Sequence, residues 1–99
     1  MTLSAFLSVS PAEKKNKSRE IAKAVEVLEE DFELEYEVTP MGTLIETRDI
    51  SELFDAVQAA HESVESDRVS TFLKIDDKRN TDEPMEEKLS SLRDHLNRR

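Results

Sequence analysis

This chain has no cysteine and no tryptophan, a single glycine, and aromatic residues at only 5% of its 99 positions. The missing thiols remove disulfides, thiolate nucleophiles and zinc–thiolate sites together, so a redox or zinc-finger role is excluded. Conventional imidazole chemistry is left to 2 histidines, His61 and His95. Long apolar runs are missing as well: nothing approaches the roughly 18 to 20 residues that cross a bilayer. Met1 to Ser10 also lacks the basic start of a secretory signal. A soluble, cytoplasmic protein with no membrane partner is expected.

Positive charge is in deficit, with 14 Lys and Arg against 23 Asp and Glu and a formal net charge of -9. Proteins that bind phosphate backbones carry a basic face to release counterions, so nucleic acid is excluded as an expected partner. The acidity favours solubility and attracts cationic ligands at long range, within the roughly 8 to 10 Å that salt permits. A chain of 99 residues makes one domain spanning residues 1–99. It is long enough for a core, and small enough that a second copy would help bury apolar surface.

Alternation defines the first element. Leu3, Ala5, Leu7 and Val9 share one face of a strand over Thr2 to Val9, with Ser4, Phe6 and Ser8 on the other. Pro11 ends it, and Asn16 or Ser18 caps a helix running to about Asp31 with Ile21, Ala24, Val25 and Leu28 as its apolar stripe. Leu34, Tyr36 and Val38 mark a second strand and Thr43 to Thr47 a third. Asp49 and Glu52 have capping-box spacing at the head of a second helix with Leu53, Val57, Ala60, His61 and Val64 inward. A fourth strand covers Arg68 to Ile75, followed by a polar segment from Asp76 to Glu83. Pro84 then starts a helix with Met85, Leu89, Leu92 and Leu96 on one side.

Right-handed crossovers turn this order into an α+β fold, a ferredoxin-like βαββαβ sandwich with an additional C-terminal helix. One sheet face is left uncovered, with Phe6 and Phe72 pointing outward beside Ser4, Ser8, Glu37 and Lys74. A second subunit is expected to cover it, and the Met/Leu stripe of the last helix offers another assembly surface.

The single glycine sits between two strand-like runs, in Tyr36-Glu37-Val38-Thr39-Pro40-Met41-Gly42-Thr43-Leu44-Ile45-Glu46-Thr47. A backbone that places its only Gly there is turning, bulging or lying close to a neighbour. Thr39, Thr43 and Glu46 are then expected near one end of a sheet, an arrangement suited to binding more than to catalysis.

These runs, with Ser8-Val9-Ser10-Pro11, Pro40-Met41-Gly42-Thr43, Ala60-His61-Glu62 and Lys74-Ile75-Asp76-Asp77-Lys78-Arg79, resemble the small thiamine-binding protein family, formerly an uncharacterised family and described as MTH1187/YkoF-like. The resemblance implies a ferredoxin-like subunit that assembles into dimers and commonly tetramers, and a role centred on thiamine or its pyrimidine part. It implies no established reaction and no cofactor. The chain departs from the family pattern after Pro11, at Ala12-Glu13-Lys14-Lys15, and lacks the glycine that often precedes the fourth strand.

Thiamine joins a cationic ring to an aminopyrimidine, so its site needs a carboxylate or aromatic face and several polar groups. Phe6, Ser8, Glu37, Thr43, Glu46 and Phe72 supply these types and are expected to line a site at the exposed sheet face or subunit interface. Met41 and Gly42 either let backbone groups approach the ligand or simply form a bulge. Asp76, Asp77, Lys78 and Arg79 form a charged cluster after the fourth strand, able to bind polar ligand groups, to hold a hard cation, or to pair with a neighbouring subunit. His61 is assigned a structural hydrogen bond. Lys14, Lys15, Lys17 and Arg19 form a basic cluster near a helix start, either a solvated loop or a phosphate site.

A non-enzymatic thiamine carrier, buffer or sensor is therefore expected, with no catalytic residue and no metal ligand. The alternative is a regulatory or protein-interaction module of the same fold that does not bind thiamine. A small enzyme using Glu46, Asp77 or His61 as acid or base ranks behind both, for want of a nucleophile with an adjacent base.

Overall fold

The structure, a computed structural model, describes residues 1–12, 17–80 and 85–96, the last stretch with only some of its side chains. The elements are β1 (Thr2–Pro11), α1 (Lys17–Asp31), β2 (Glu35–Thr39), β3 (Gly42–Thr47), α2 (Ile50–Ser63), β4 (Val69–Lys78) and α3 (Met85–Leu96). The strands form one 4-stranded antiparallel sheet in the order β2-β3-β1-β4. This is the ferredoxin-like sandwich with one more helix that the pattern predicts. Asn16, Lys14, Lys15 and Pro84, and the side chains of Met85 and Leu89, lie outside the described residues. Among the described residues, no helix is long and apolar enough to cross a membrane.

Alternation sorts the sheet's two sides. Leu3, Ala5, Leu7 and Val9 of β1 are buried on the helix side with Ile45 of β3, and Ala5, Leu7, Val9 and Ile45 form one cluster with Ala24 and Leu28 of α1 and Leu53, Ala56 and Ala60 of α2. Leu3, Leu28, Ile45 and Leu53 are buried to within 1%. Each such side chain contributes about 1.5–3 kcal/mol relative to leaving it in water.

Two strands, central β1 and edge β4, outrun the pattern. β1 continues through Pro11, paired with Val69, and the Ala12 amide donates to the Arg68 carbonyl at 2.8 Å. Proline is tolerated there because it ends the strand. β4 continues through Asp76, Asp77 and Lys78, which pair with Ser4, Leu3 and Thr2. Charged residues enter a strand because the first residues of β1 satisfy their backbone groups. The expected loop cluster is thus strand backbone up to Lys78, and only Arg79 stands beyond it.

The helix stripes are rotated from the expected ones. Glu20, Ala24 and Leu28 are the buried residues of α1, while Ile21 is 40% exposed. Glu20 can turn inward because its carboxylate is served: Lys23 Nζ donates to Oε1 at 3.0 Å and the Glu65 amide to Oε2 at 3.2 Å. In α2, Ala56 joins Leu53 and Ala60 inside, and His61 is exposed. The capping prediction holds for Asp49, which accepts from the amides of Ser51 at 2.9 Å and Glu52 at 3.3 Å.

α3 stands away from the sandwich. The radius of gyration is 15.1 Å with extents of 47 × 33 × 19 Å, against roughly 13 Å for a compact chain of about this length. Leu92 and Leu96 are 54% and 48% exposed. The helix leaves the open sheet face bare, and Phe72 there is 58% exposed.

Candidate functional site at the α1–hairpin cleft

The turn joining β2 to β3 is organised by one hydroxyl. Thr39 Oγ1 donates to the Gly42 carbonyl at 2.8 Å and accepts from the Met41 and Gly42 amides, each at 3.2 Å. Thr39 is thereby committed to the turn rather than to a ligand. Gly42 answers to a close approach. A Cβ there would sit 2.6 Å from Phe6 Cζ and 2.7 Å from the Leu7 carbonyl oxygen, and the carbonyl is backbone that cannot step aside. The glycine lets the tip of the Phe6 ring come close to the neighbouring strand.

Beside this turn a cleft of about 220 Å³ opens on the helix side of the sheet, between α1 and the hairpin. Ile21, Val25 and Leu28 of α1 form one wall, and Val38 to Thr43 with Leu7 to Ser10 the other. β1 pairs with β3 only as far as Leu7–Thr43, while its pairing with β4 runs on to Pro11. Ser8 to Ser10 therefore have no strand partner on the β3 side, and this free edge lies in the cleft. A strand edge without a partner offers amide donors and carbonyl acceptors together. Thr43, 6% exposed, adds a hydroxyl. Among the described residues no ionisable side chain lines the cleft.

The residues expected to form one site fall into separate places. Ser8, Met41, Gly42 and Thr43 border the cleft. Phe6, Glu37, Glu46 and Phe72 lie on the opposite, open side of the sheet, so the expected single pocket at that face does not form within one subunit. Phe6 and Phe72 meet edge to face with centroids 6.1 Å apart, and a shallow depression of about 150 Å³ runs past Phe6, Leu44, Lys74, Asp76 and Lys78. Asp77, paired with Leu3, faces the helix side at the far end of the sheet from the turn, where Arg79 Nε donates to its Oδ2 at 3.0 Å. The even period of a strand separates these groups: Thr43 and Leu44 are neighbours in sequence and stand on opposite faces. Ile21, Val25, Val38 and Ser10 are lining residues that sequence reasoning missed. The signal was an apolar stripe on α1 wider than the core it serves.

His61 is joined through Nδ1 to the Thr71 hydroxyl, tying α2 to β4, in keeping with its expected structural role. Lys17 and Arg19, the described members of the basic cluster, are exposed on the first turn of α1. Among the described residues no group of three or more His, Asp or Glu is placed to hold a metal. The Lys23 and Glu65 hydrogen bonds, in that order, hold the Glu20 carboxyl below its ordinary 4.5 against the opposing effect of burial.

The fold is thus a four-stranded ferredoxin-like subunit with a small cleft beside a Pro-Met-Gly-Thr turn. A family profile described as "Thiamine-binding protein" matches residues 5–93. The chain belongs to that family, also designated UPF0045/DUF77. It is similar to a UPF0045 protein of Methanothermobacter thermautotrophicus, 46% identical over 79 residues that cover 77% of this chain and 79% of the relative. Among solved structures, hypothetical protein MJ1052 of Methanocaldococcus jannaschii superposes with a TM-score of 0.82 at 32% identity, covering 92% of this chain and 95% of that one. A candidate thiamine biosynthesis/salvage protein of Thermotoga maritima superposes at 0.79 with 26% identity, over 93% and 99% of the two chains.

Proposed function

We propose that this protein binds thiamine or a related pyrimidine-containing molecule without transforming it, as a carrier, buffer or sensor in the cytoplasm, and that it works as a homo-oligomer, dimer or tetramer. The observation that carries this reading is the cleft: a free strand edge at Ser8 to Ser10, a buried Thr43 hydroxyl and apolar walls from α1. An aminopyrimidine needs paired donors and acceptors in one plane, and a strand edge presents them in that form. At about 220 Å³ the cleft is smaller than the roughly 300–1,000 Å³ of drug-sized pockets, so it suits one ring. The cationic ring then lies toward the mouth, near Met41 and Ile21, in the field of a chain with net charge -9.

Of the residues singled out from the sequence, this assigns Ser8, Met41, Gly42 and Thr43 to the ligand. Phe6, Glu37, Glu46 and Phe72 are assigned to the face where subunits meet, and Asp77 to its pairing with Arg79.

Calorimetric titration of the assembled protein with thiamine, with its hydroxymethyl-pyrimidine half and with its thiazole half tests the proposal. Saturable binding of the first two and little heat from the third is expected. Thr43→Val should weaken pyrimidine binding about tenfold, the usual worth of one hydrogen bond. No heat from thiamine or the pyrimidine at millimolar concentration would overturn it. Recovery of a protein partner from extract, with no response to thiamine, would favour the interaction-module reading instead.

A further inference from the structure

A ligand of two rings needs more room than the cleft offers. At about 220 Å³ the cleft takes one ring, with the buried Leu28 in its inner wall. On its outer side it continues into a shallow shelf of about 430 Å³ along α1. Ile21, Val25 and Val38 line both spaces, so cleft and shelf meet along one apolar seam. Ile21 is 40% and Val38 56% exposed, so neither is there to fill the core.

Charge separates the two spaces. Ser18, Ala22 and Glu26 belong to the shelf alone, and Glu26 is the one ionisable residue among the described ones that line it. Glu26 is exposed, and among the described residues its carboxylate has no charged or hydrogen-bonding partner. The nearest cation in sequence is engaged elsewhere: Lys23 Nζ lies 3.0 Å from Glu20 and 3.7 Å from Glu65. Lys17 and Arg19 are exposed on the first turn of α1. Arg19 stands roughly 10 Å along the helix from Glu26, a distance at which salt screens exposed charges. From β2, the residues on this side of the sheet are Tyr36 and Val38, and neither brings a charge. A positive group resting on the shelf therefore meets an unpaired carboxylate.

We infer that Glu26 is a specificity-determining residue that selects a cationic second ring: the neutral ring of the ligand fills the cleft, and the charged ring lies across Ile21, Val25 and Val38 with the Glu26 carboxylate at its edge. The inference rests on the proposed pyrimidine-containing ligand and adds the residue that reads its charge. The division of labour follows from solvation. A neutral ring gains from the closed cleft, where Thr43 and the free edge of β1 meet its polar atoms. A permanent cation is costly to bury and is better held where water still reaches it, beside a carboxylate that is itself solvated. A neutral second ring would gain the same apolar seam and nothing from Glu26.

Calorimetric titration of the full chain with thiamine, with its neutral isostere deazathiamine, in which carbon replaces the thiazolium nitrogen, and with the hydroxymethyl-pyrimidine half tests this. Wild type should prefer thiamine to the isostere about two- to fivefold, the range of an exposed charge pair, and the preference should shrink as salt is raised. Glu26→Gln should bind the two equally while its affinity for the pyrimidine half stays that of wild type. Asp55→Asn, the same loss of charge at an exposed position of α2, should keep the preference. Ala22→Lys, at an exposed position of the shelf, should reverse it in favour of the isostere. Circular dichroism should show the fold unchanged in all three variants. A wild type indifferent to the charge of the second ring, or a Glu26→Gln variant that keeps the preference, overturns the role of Glu26, while binding of the pyrimidine half still supports the cleft. No binding of thiamine or of the pyrimidine half overturns both.

Discussion

The two faces of one sheet follow opposite rules. On the helix side, Leu3, Ala5, Leu7 and Ile45 are almost fully buried and their neighbours fill the space around them. On the open side, Phe6 and Phe72 touch each other, and Lys74 and Glu37 reach into solvent. The same four strands supply both faces, so neither strand propensity nor length accounts for the difference. What differs is whether the chain has another layer of its own to lay on that side. α1 and α2 cover one face, and α3 does not cover the other. The cleft lies at the border between these regimes, where α1 runs past the short β2–β3 hairpin and its apolar stripe is wider than the sheet beneath it.

The difference is measurable by substitution. Leu53→Ala, at a fully buried position on the closed side, should cost about 2–5 kcal/mol in urea unfolding, the largest effect expected here. Gly42→Val should cost about 1–3 kcal/mol, since its side chain meets the Leu7 carbonyl as well as the Phe6 ring. Adding Phe6→Ala should relieve only part of that loss, which a double-mutant cycle would read directly.

A smaller effect appears in acid. The Glu20 carboxyl sits below its ordinary 4.5 in the folded chain, so its contribution is fully present above about that pH and fades as the pH falls through the lowered value. Glu20→Gln should therefore be less stable than wild type at pH 7, with the gap closing toward pH 3. A gap independent of pH would mean that shape, not charge, explains the burial.

The smallest effect belongs to the open face. Phe72→Ser should change the stability of the isolated subunit by no more than about 0.5 kcal/mol while lowering self-association. A loss as large as that of Leu53→Ala would show that the open face is core in its own right.

Much of this molecule is legible from its residues, and the exceptions have causes. The alternation in Thr2 to Val9 and Arg68 to Ile75 marks strands directly, because a half-buried sheet imposes a period of two. The pull of Asp76 to Lys78 into β4 was not legible. A run of charges looks like a loop until one knows that Thr2 to Ser4 lie alongside to pair with it. Glu20 was invisible for a similar reason: its inward turn depends on the Glu65 amide, 45 residues away along the chain. The candidate site was half legible. The Pro-Met-Gly-Thr turn points to the end of the sheet where the cleft opens, but the residues grouped with it divide between two faces.

The order of elements, the acidic surface and the family motif are properties of the linear chain, because local periodicity and composition carry them. On which face the cleft opens, and which residues stand in line across the sheet, were decided only when four strands took their register. A shift of one residue in that register would exchange the two faces while leaving every local pattern unchanged.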